Sequence, residues 1–465
     1  MKKLIWCCVL ATIVAGLLLS PVPCDAKAQP TRLRIYNNTA TSLATTVRVK
    51  NNSDWENNNR PDNNFNPRTI NPLSGSVQPE DLNSNSKSAS FDMTVTFQNG
   101  DVVSLTTDQK DAWKLSAYEA RKLVLGGPQS ANYAASWVTL ADETLAISFS
   151  VRQDPATWMS QVPDNLLLSQ LTIPGTHDSA SLFENATSLG FAKTQDLNLA
   201  DQLNLGVRFF DIRLNKNLDV YHGPVFQHLT FSQVMSTCAD FLRTNPSETI
   251  LMLINASDPG TNNKNPDAFA RAVSNAMNGA GGVWSLGNKI PTLGDVRGTI
   301  QLLRRYPAGS TTPLGIDVTD WPDDTRYDLK RNSDGVSYAI QDHWKCCATA
   351  AGKTDKRNEI QTLFDNAVLT ARVKPALLFF NFTSANRVPL LNPRGNAQYF
   401  NPFSLALLVQ TPLRARGGIF AMDFIEWEQT GISPGLNDQQ ALIQQIISYN
   451  LGANGSEGSV EPGPN

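Results

Sequence analysis

The feature that most constrains the fold is an alternation of apolar and amphipathic segments that begins near Leu166. Short apolar runs alternate there with stretches of helical period, which predicts parallel strands joined by helical crossovers. About eight apolar runs are what a (β/α)8-like TIM barrel requires. The short connection between Asp211 and His222 leaves room for a distorted barrel. We predict strands near residues 168–173, 207–212, 218–221, 250–254, 300–303, 337–340, 376–380 and 418–422, and helices near 231–242, 268–277, 360–371, 405–413 and 440–449.

The segment before the barrel has a different pattern of apolar and polar residues. Apolar and polar residues alternate between residues 31 and 151, and Asn- and Gly-containing turns separate the runs. This pattern predicts a small all-β sandwich of antiparallel strands. We therefore predict an accessory β-sandwich domain at 29–154, with no catalytic cluster of its own, and a barrel domain at 155–455. Within the sandwich we predict strands near 33–36, 42–49, 90–97, 102–105 and 145–151, and a long polar loop between 51 and 71.

The first residues predict export. Lys2 and Lys3 precede an apolar run at 4–19, and Ala26-Lys27-Ala28 offers a cleavage site. We interpret 1–28 as a signal peptide, with a retained anchor and lipid attachment at Cys24 as the alternatives. The mature protein is then secreted, extracellular or periplasmic, with no transmembrane segment.

Composition excludes one class of partner. The 465 residues carry a formal net charge of −3 and show no basic run, which argues against a nucleic-acid binder. Beyond the signal region only Cys238, Cys346 and Cys347 remain, and an odd number does not indicate a disulfide framework. His343 is the one nearby ligand for the cysteine pair, so we do not expect a zinc site.

Functional side chains follow several of the predicted strands. In a barrel of parallel strands the carboxyl ends meet at one rim, and active sites lie there. We therefore expect one site built from the residues that end those strands, which are His177, Asp178, Asp211, Arg213, His222, Arg305, Asp342 and Asp423.

The two histidines of this set suit phosphodiester cleavage by internal attack. The chain has only four histidines, and His177 and His222 both fall at predicted strand ends. An imidazole can remove a proton from a substrate hydroxyl or protonate a leaving oxygen near neutral pH. An arginine such as Arg213 can meet the charge on the phosphate oxygens.

The same residues lie in segments that resemble the bacterial phosphatidylinositol-specific phospholipases C. Ile173-Pro174-Gly175-Thr176-His177-Asp178-Ser179 opens the series. The resemblance covers roughly residues 166–449 in collinear order, and this order makes it specific. The other matching segments are 202–213, 221–223, 241–242, 245–250, 297–298, 303–306, 341–342, 381–384 and 422–424.

The resemblance implies catalytic roles. His177 matches the general base for the inositol 2-hydroxyl, and Asp423 matches the carboxylate that orients it. His222 matches the general acid and Asp178 its partner, while Arg213 matches the phosphate-binding arginine.

The resemblance also implies a head-group site and bears on the cofactor. Asp211 lies beside the phosphate-binding arginine, Arg305 and Asp342 match inositol-binding residues, and Trp344 falls at the place of an aromatic ring stacked on inositol. Asn255 departs from the family, which has a lysine there, and so affects head-group preference. Because an arginine replaces the metal of calcium-dependent relatives, we predict no metal; calcium at Asp178 and Asp211 is the alternative.

These residues predict a secreted enzyme that cleaves phosphatidylinositol, or a glycosylated relative, at the bilayer surface. The products would be diacylglycerol and inositol 1,2-cyclic phosphate. Two alternatives stay open. One is a phosphodiesterase for another lipid or a glycerophosphodiester, which the neutral Asn255 keeps open. The other is a non-catalytic module that binds membrane lipid.

Overall fold

The computed structural model describes most of the chain after residue 30. The described residues are 31–49, 52, 60–75, 80–82, 91–107, 123–126, 132–140, 144–256, 266–279, 283–308, 315–386, 392–411, 416–426 and 441–450. The predicted signal peptide at 1–28 lies outside them. Within these ranges no helix is both long and apolar enough to cross a bilayer.

The N-terminal part forms two facing five-stranded sheets. Their inward side chains alternate along each strand, as in β6, where Phe91, Met93, Val95 and Phe97 are all buried. One sheet has the order β4–β1–β10–β9 with β5 also on β1, and the other the order β3–β2–β6–β7–β8. The elements are β1 (Thr31–Asn38), β2 (Leu43–Val49), α1 (Pro61–Phe65), β3 (Arg68–Ile70), β4 (Ser74–Gly75), β5 (Glu80–Leu82), β6 (Phe91–Phe97), β7 (Val102–Thr107), β8 (Leu123–Gly126), β9 (Tyr133–Thr139) and β10 (Thr144–Val151).

Two predictions for this part are wrong in detail. The sandwich is not purely antiparallel, because β1 and β10 run parallel and pair from Arg32↔Thr144 to Asn38↔Ser150. The segment predicted as a polar loop contains α1 and β3. Pro61 starts α1, where its missing N–H is not needed, and Phe65 is fully buried against the sandwich core.

The C-terminal part is built on a twelve-stranded, mostly parallel sheet with helices along it. Its strands are β11 (Thr172–Thr176), β12 (Phe209–Leu214), β13 (Asp219–His222), β14 (Val225–Thr230), β15 (Ile250–Ala256), β16 (Trp284–Ser285), β17 (Ile300–Arg305), β18 (Ile316–Asp317), β19 (Thr325–Arg331), β20 (Ser337–Asp342), β21 (Leu377–Phe382) and β22 (Gly418–Met422). Its helices are α2 (Leu199–Leu205), α3 (Phe231–Thr244), α4 (Pro266–Gly279), α5 (Leu293–Val296), α6 (Ala350–Thr370), α7 (Pro393–Gln410) and α8 (Ala441–Ser448).

The main path of this sheet is β16–β17–β15–β12–β11–β22–β21–β20–β19, and within the described ranges no pairing joins β19 back to the other edge. The result is a curled, open barrel rather than a closed one, which is the distortion that the short connection predicts. Strands such as β21 are buried at every position, as expected when both faces of a parallel sheet are covered.

The third predicted barrel strand is wrong. Residues 219–222 form β13, which pairs antiparallel with β14 in a hairpin beside the end of β12. The connection between Asp211 and His222 is too short for a crossover, so the chain can only turn back on itself there. His222 therefore reaches the barrel rim from a hairpin.

Helix α8 lies between the two parts of the molecule. Leu442 to Ser448 are all buried, an all-round burial that a surface helix does not have. From the sandwich sheet, Tyr36, Val138 and Ala146 join the same apolar core as Ile443 and Ile447. The sandwich thus covers helices of the barrel.

Candidate active site

A cavity of about 340 Å³ opens at the carboxyl ends of the barrel strands. It holds charged, aromatic and amide side chains together, which is typical of a site for a polar ligand. Its lining residues are His177, Arg213, His222, Gly223, Asn255, Arg305, Asp323, Asp342, Trp344, Ser384, Ala385, Asn386, Pro393 and Asp423.

Strand register brings His177 and Asp423 together. Thr176 pairs with Met422 across β11 and β22, so the next residue of each strand lies at the same point of the rim. His177 Nδ1 is 2.8 Å from Asp423 Oδ1. Because a carboxylate only accepts, this contact assigns the Nδ1 proton to His177 and leaves Nε2 as the acceptor. Arg213 Nη2 lies 2.8 Å from that Nε2.

Backbone contacts fix this pair in place. The Gln195 amide donates to the carbonyls of His177 at 3.1 Å and Met422 at 2.8 Å. The Asn401 amide donates to the Asp423 carbonyl at 3.0 Å. Both amides are buried; Gln195 links the ends of the two strands, and Asn401, on α7, holds the residue that follows β22.

The Asp178 carboxylate lies close to Arg213, His222 and His177. Its Oδ1 is 2.6 Å from Arg213 Nε, and its Oδ2 is 3.3 Å from His222 Nε2 and 3.5 Å from His177 Nε2. Its backbone has φ of 43°, in the left-handed region that non-glycine residues seldom adopt. Such a conformation at a functional position turns the carboxylate beneath the cavity.

His222 approaches from the hairpin. Its Nδ1 is 3.0 Å from the carbonyl oxygen of Ala192, so the ring donates from Nδ1. Its Nε2 then faces Asp178 Oδ2. The centroids of the His177 and His222 rings are 6.4 Å apart and the ring planes are nearly perpendicular.

The charges of the cluster shift several pKa values. Burial opposes protonation of His177, but the carboxylates of Asp423 and Asp178 outweigh it and raise the His177 pKa above 6.5. Burial raises the pKa of Asp423, while Arg213 and His177 hold that of Asp211 low despite its burial. Asp178 and Asp211 in turn raise the pKa of Arg213, so its charge is fixed.

His177, Asp178 and Asp211 could also be considered as metal ligands, since their ligand atoms lie within 4.8 Å of one another. Arg213, however, contacts all of them, with Nη2 3.1 Å from Asp211 Oδ2 in addition to the contacts above. A guanidinium therefore occupies the place between these donors and supplies the positive charge that an ion would bring.

The cavity is also lined by Arg305, Asp342, Trp344 and Asn255. Arg305 Nη1 is 3.8 Å from Asp342 Oδ2. The Trp321 indole donates to the same oxygen at 3.0 Å, and the Arg305 guanidinium lies 4.7 Å from the Trp321 ring centroid. Asp342 and Arg305 are thus held in fixed directions at the cavity.

Asn255 lies between two arginines. In the register of the sheet Arg213 pairs with Asn255 across β12 and β15, and Asn255 pairs with Arg305 across β15 and β17. The neutral amide separates the two guanidinium groups, a position where another cation would face like charges on both sides.

The structure brings the sequence-predicted site residues together. All of them line the cavity except Asp178 and Asp211, which are buried beneath it and reach it through Arg213. Sequence reasoning missed Asp323, Ser384 and Asn386. Ser384 lay in a matching segment, and its buried hydroxyl has no hydrogen-bond partner among the described residues, so a ligand could use it. No pattern pointed to Asp323.

Comparisons with known proteins identify related enzymes. Residues 171–305 match the family described as phosphatidylinositol-specific phospholipase C, X domain. The chain is 32% identical over 279 residues to the 1-phosphatidylinositol phosphodiesterase of Listeria monocytogenes, covering 58% of this chain and 81% of the relative. It is 26% identical over 317 residues to the enzyme of that name from Staphylococcus aureus strain Newman, covering 65% and 96%.

Comparison of the fold with solved structures finds the same family. A structure of the S. aureus phosphatidylinositol-specific phospholipase C, from work on its membrane binding, superimposes with a TM-score of 0.55 at 25% identity. The match covers 64% of this chain and 98% of that one. With the ordered motifs, the curled sheet and the cavity all in agreement, the chain belongs to the bacterial phosphatidylinositol-specific phospholipase C family.

Proposed function

We propose that this protein cleaves phosphatidylinositol, or a glycosylated relative, to diacylglycerol and inositol 1,2-cyclic phosphate by two-histidine acid–base catalysis. One observation carries the proposal: two imidazoles flank a single arginine–carboxylate pair. His177 Nε2 contacts Arg213, and His222 Nε2 contacts Asp178, which itself binds Arg213. A phosphate bound to Arg213 would therefore have one imidazole on each side.

In the first step His177 acts as general base. Its Nε2 takes the proton of the inositol 2-hydroxyl, and that oxygen attacks phosphorus to close the cyclic ester. Asp423 orients the ring and stabilises the imidazolium that forms, which is the role of the carboxylate in a catalytic triad.

His222 acts as general acid in the same step. As the bond from phosphorus to the diacylglycerol oxygen breaks, His222 Nε2 gives its proton to that oxygen. Asp178 lies against Nε2 of His222, and the Ala192 carbonyl fixes the direction of the ring. In a second step the roles reverse: His222 activates water, which opens the cyclic ester.

Arg213 would bind the non-bridging phosphate oxygens and stabilise the charge that grows on them. Its remaining contacts with Asp178 and Asp211 keep the guanidinium oriented, so little reorganisation is needed during the reaction. With a fixed positive charge at this point, we propose that the reaction needs no metal.

The other residues that line the cavity would recognise the head group. Arg305, Asp342 and Asn255 can hydrogen-bond ring hydroxyls, and the Trp344 ring can stack on the apolar face of inositol. Because Asn255 carries no charge, a second candidate substrate is another lipid or a glycerophosphodiester with a different polyol. The chemistry at His177 and His222 would be the same.

We propose that the enzyme works at a bilayer surface after export and removal of residues 1–28. The segment that follows His177 carries Phe183 and Leu189, which are 38% and 70% exposed. A bonded pair, Cys346–Cys347, suits an oxidising compartment. We keep 29–154 and 155–455 as the accessory and catalytic domains.

Phosphorus NMR tests the proposal. The protein is mixed with phosphatidylinositol vesicles in EDTA, beside the variant His177→Ala. We expect a cyclic phosphate signal that EDTA does not remove and that the variant lacks. Product from another lipid or a glycerophosphodiester alone would favour the second candidate. Binding to vesicles without any product would point to a non-catalytic lipid-binding module.

A further inference from the structure

Trp344 is held at the cavity by contacts on several sides. Its indole Nε1 donates to Asp323 Oδ1 at 3.0 Å, and its backbone carbonyl accepts from the backbone N–H of Asn386 at 3.0 Å. Lys345 Nζ lies 4.5 Å from the centroid of the Trp344 ring and 2.7 Å from Asp323 Oδ2. Asp323, Lys345 and the indole thus form one small network beside the ligand space.

A disulfide bond follows this network directly. Cys346 and Cys347, adjacent in sequence, are joined and buried, with 5% and 2% exposure. The bond closes a small ring through the peptide between them, and Cys347 has φ of 76°. The next turn begins α6, where Thr349 caps the helix by accepting from the Gly352 N–H. The disulfide therefore connects the segment that carries Trp344 to the start of a long helix without a flexible link.

We propose that the Cys346–Cys347 disulfide and Asp323 are positioning elements that hold the Trp344 ring against the cavity and so set the affinity for the head group. The inference rests on the proposed function, since it concerns how a polyol ring is bound. The disulfide fixes the backbone on one side of Trp344, and Asp323 fixes the indole on the other.

The physical reason is preorganisation. Trp344 is only half-buried and lies on a loop between β20 and α6, so packing alone does not fix its ring. Ordering a loop residue and its side chain on binding costs conformational entropy. The disulfide and the Asp323 contact meet that cost before the ligand arrives. Neither the disulfide nor Asp323 contacts His177 or His222 among the described residues. Loss of the disulfide or of the Asp323 contact should therefore weaken binding of the head group and leave the chemical step nearly unchanged.

Reduction tests the disulfide. A water-soluble phosphine breaks the sulfur–sulfur bond, gives two electrons to the sulfurs, which take up protons from water, and becomes the phosphine oxide. With a soluble short-chain phosphatidylinositol we expect KM to rise about 3- to 10-fold and kcat to stay within about twofold. The double variant Cys346→Ala/Cys347→Ala is the matched control. It should show the higher KM at the start and no response to phosphine.

Asp323 variants give an independent test that does not need the disulfide. Asp323→Asn keeps an oxygen that can accept from the Trp344 indole, whereas Asp323→Leu, of similar size, does not. We expect Asp323→Leu to raise KM about 3- to 10-fold and Asp323→Asn to restore most of it. Equal KM values for wild type and Asp323→Leu would overturn the role of Asp323.

A readout without turnover separates this inference from the proposed function. The indole N–H signal of Trp344 in a nitrogen–proton NMR spectrum is assigned by its loss in Trp344→Phe. Its hydrogen exchange should become faster after reduction and in Asp323→Leu. If thiol counting shows full reduction and both exchange and KM are unchanged, the inference is wrong. If exchange accelerates while no inositol lipid is cleaved, the positioning role stands and the proposed substrate is wrong.

Discussion

The two ends of the cavity are built in different ways. At the acid–base end, His177, Asp178, Arg213 and Asp423 lie at the ends of neighbouring parallel strands, and buried carboxylates connect them. At the head-group end, Asn255, Arg305 and Asp342 also lie on strands, but Trp344 comes from a loop and is held by the exposed side chains of Asp323 and Lys345. Strand register places groups to within a fraction of an ångström, which proton transfer needs, whereas loops can vary without disturbing the sheet. The comparison therefore predicts losses in kcat at one end and losses in affinity at the other.

The largest effect should come from the histidines. His177→Ala and His222→Ala should each lower kcat by about 10²–10⁴-fold, with little change in KM, because each removes a proton transfer. Steady-state rates on phosphatidylinositol measure this.

A substrate with a p-nitrophenyl leaving group separates the two roles. That leaving group departs without protonation, so it should restore much of the rate of His222→Ala and none of the rate of His177→Ala. Restoration in the opposite order would reverse the assignment of base and acid.

The next effect concerns the two arginines. Arg213→Lys should lower kcat by about 10²–10³-fold, because a point charge cannot contact phosphate, Asp178 and Asp211 together. The matched change Arg305→Lys, at the head-group end, should mainly raise KM. A similar kcat loss in both variants would remove the distinction between the two ends.

The pH profile should show the electrostatic coupling of the acid–base end. The base works when His177 is neutral, so kcat/KM should fall as pH drops through its raised pKa, with the acid limb above pH 6.5. Asp423→Asn removes a carboxylate that favours the charged ring, so the limb should move to lower pH. The plateau value of kcat/KM in Asp423→Asn should also fall, by about 10-fold or more, because the His177 ring loses the carboxylate that orients it. An unmoved limb would mean that another group controls it.

The sequence predicted, for a physical reason, that several of the candidate residues lie together at one rim. The strands that carry His177, Arg213 and Asp423 are apolar runs whose burial fixes their register, so the residues that follow them must meet at one rim. The curled α/β barrel and the β-sandwich before it also followed from hydrophobic period. The role of each side chain came from the family resemblance, not from the pattern.

The features that could not be predicted from the sequence depend on contacts between distant segments or on local geometry. His222 was expected on a barrel strand and lies on a hairpin, because four residues of alternating character fit either. Asp323 lines the cavity and accepts from the Trp344 indole across 21 residues of sequence, a contact that no local pattern encodes. The odd cysteine count gave no sign of the Cys346–Cys347 bond, since adjacent cysteines seldom pair.

The smallest predicted effect is at Asn255. Asn255→Ala removes one neutral hydrogen-bonding group from the head-group end, so KM should rise about 2- to 10-fold and kcat should stay unchanged.

Asn255→Lys should differ from Asn255→Ala in its response to salt, because the new charge would lie between Arg213 and Arg305. Repulsion from both guanidinium groups would offset its attraction to the phosphate, and raising the ionic strength should lessen that repulsion. Steady-state KM at two salt concentrations measures both variants. A kcat loss in Asn255→Ala as large as that of His177→Ala would show that the two ends are not separate, and the division between chemistry and recognition would fail.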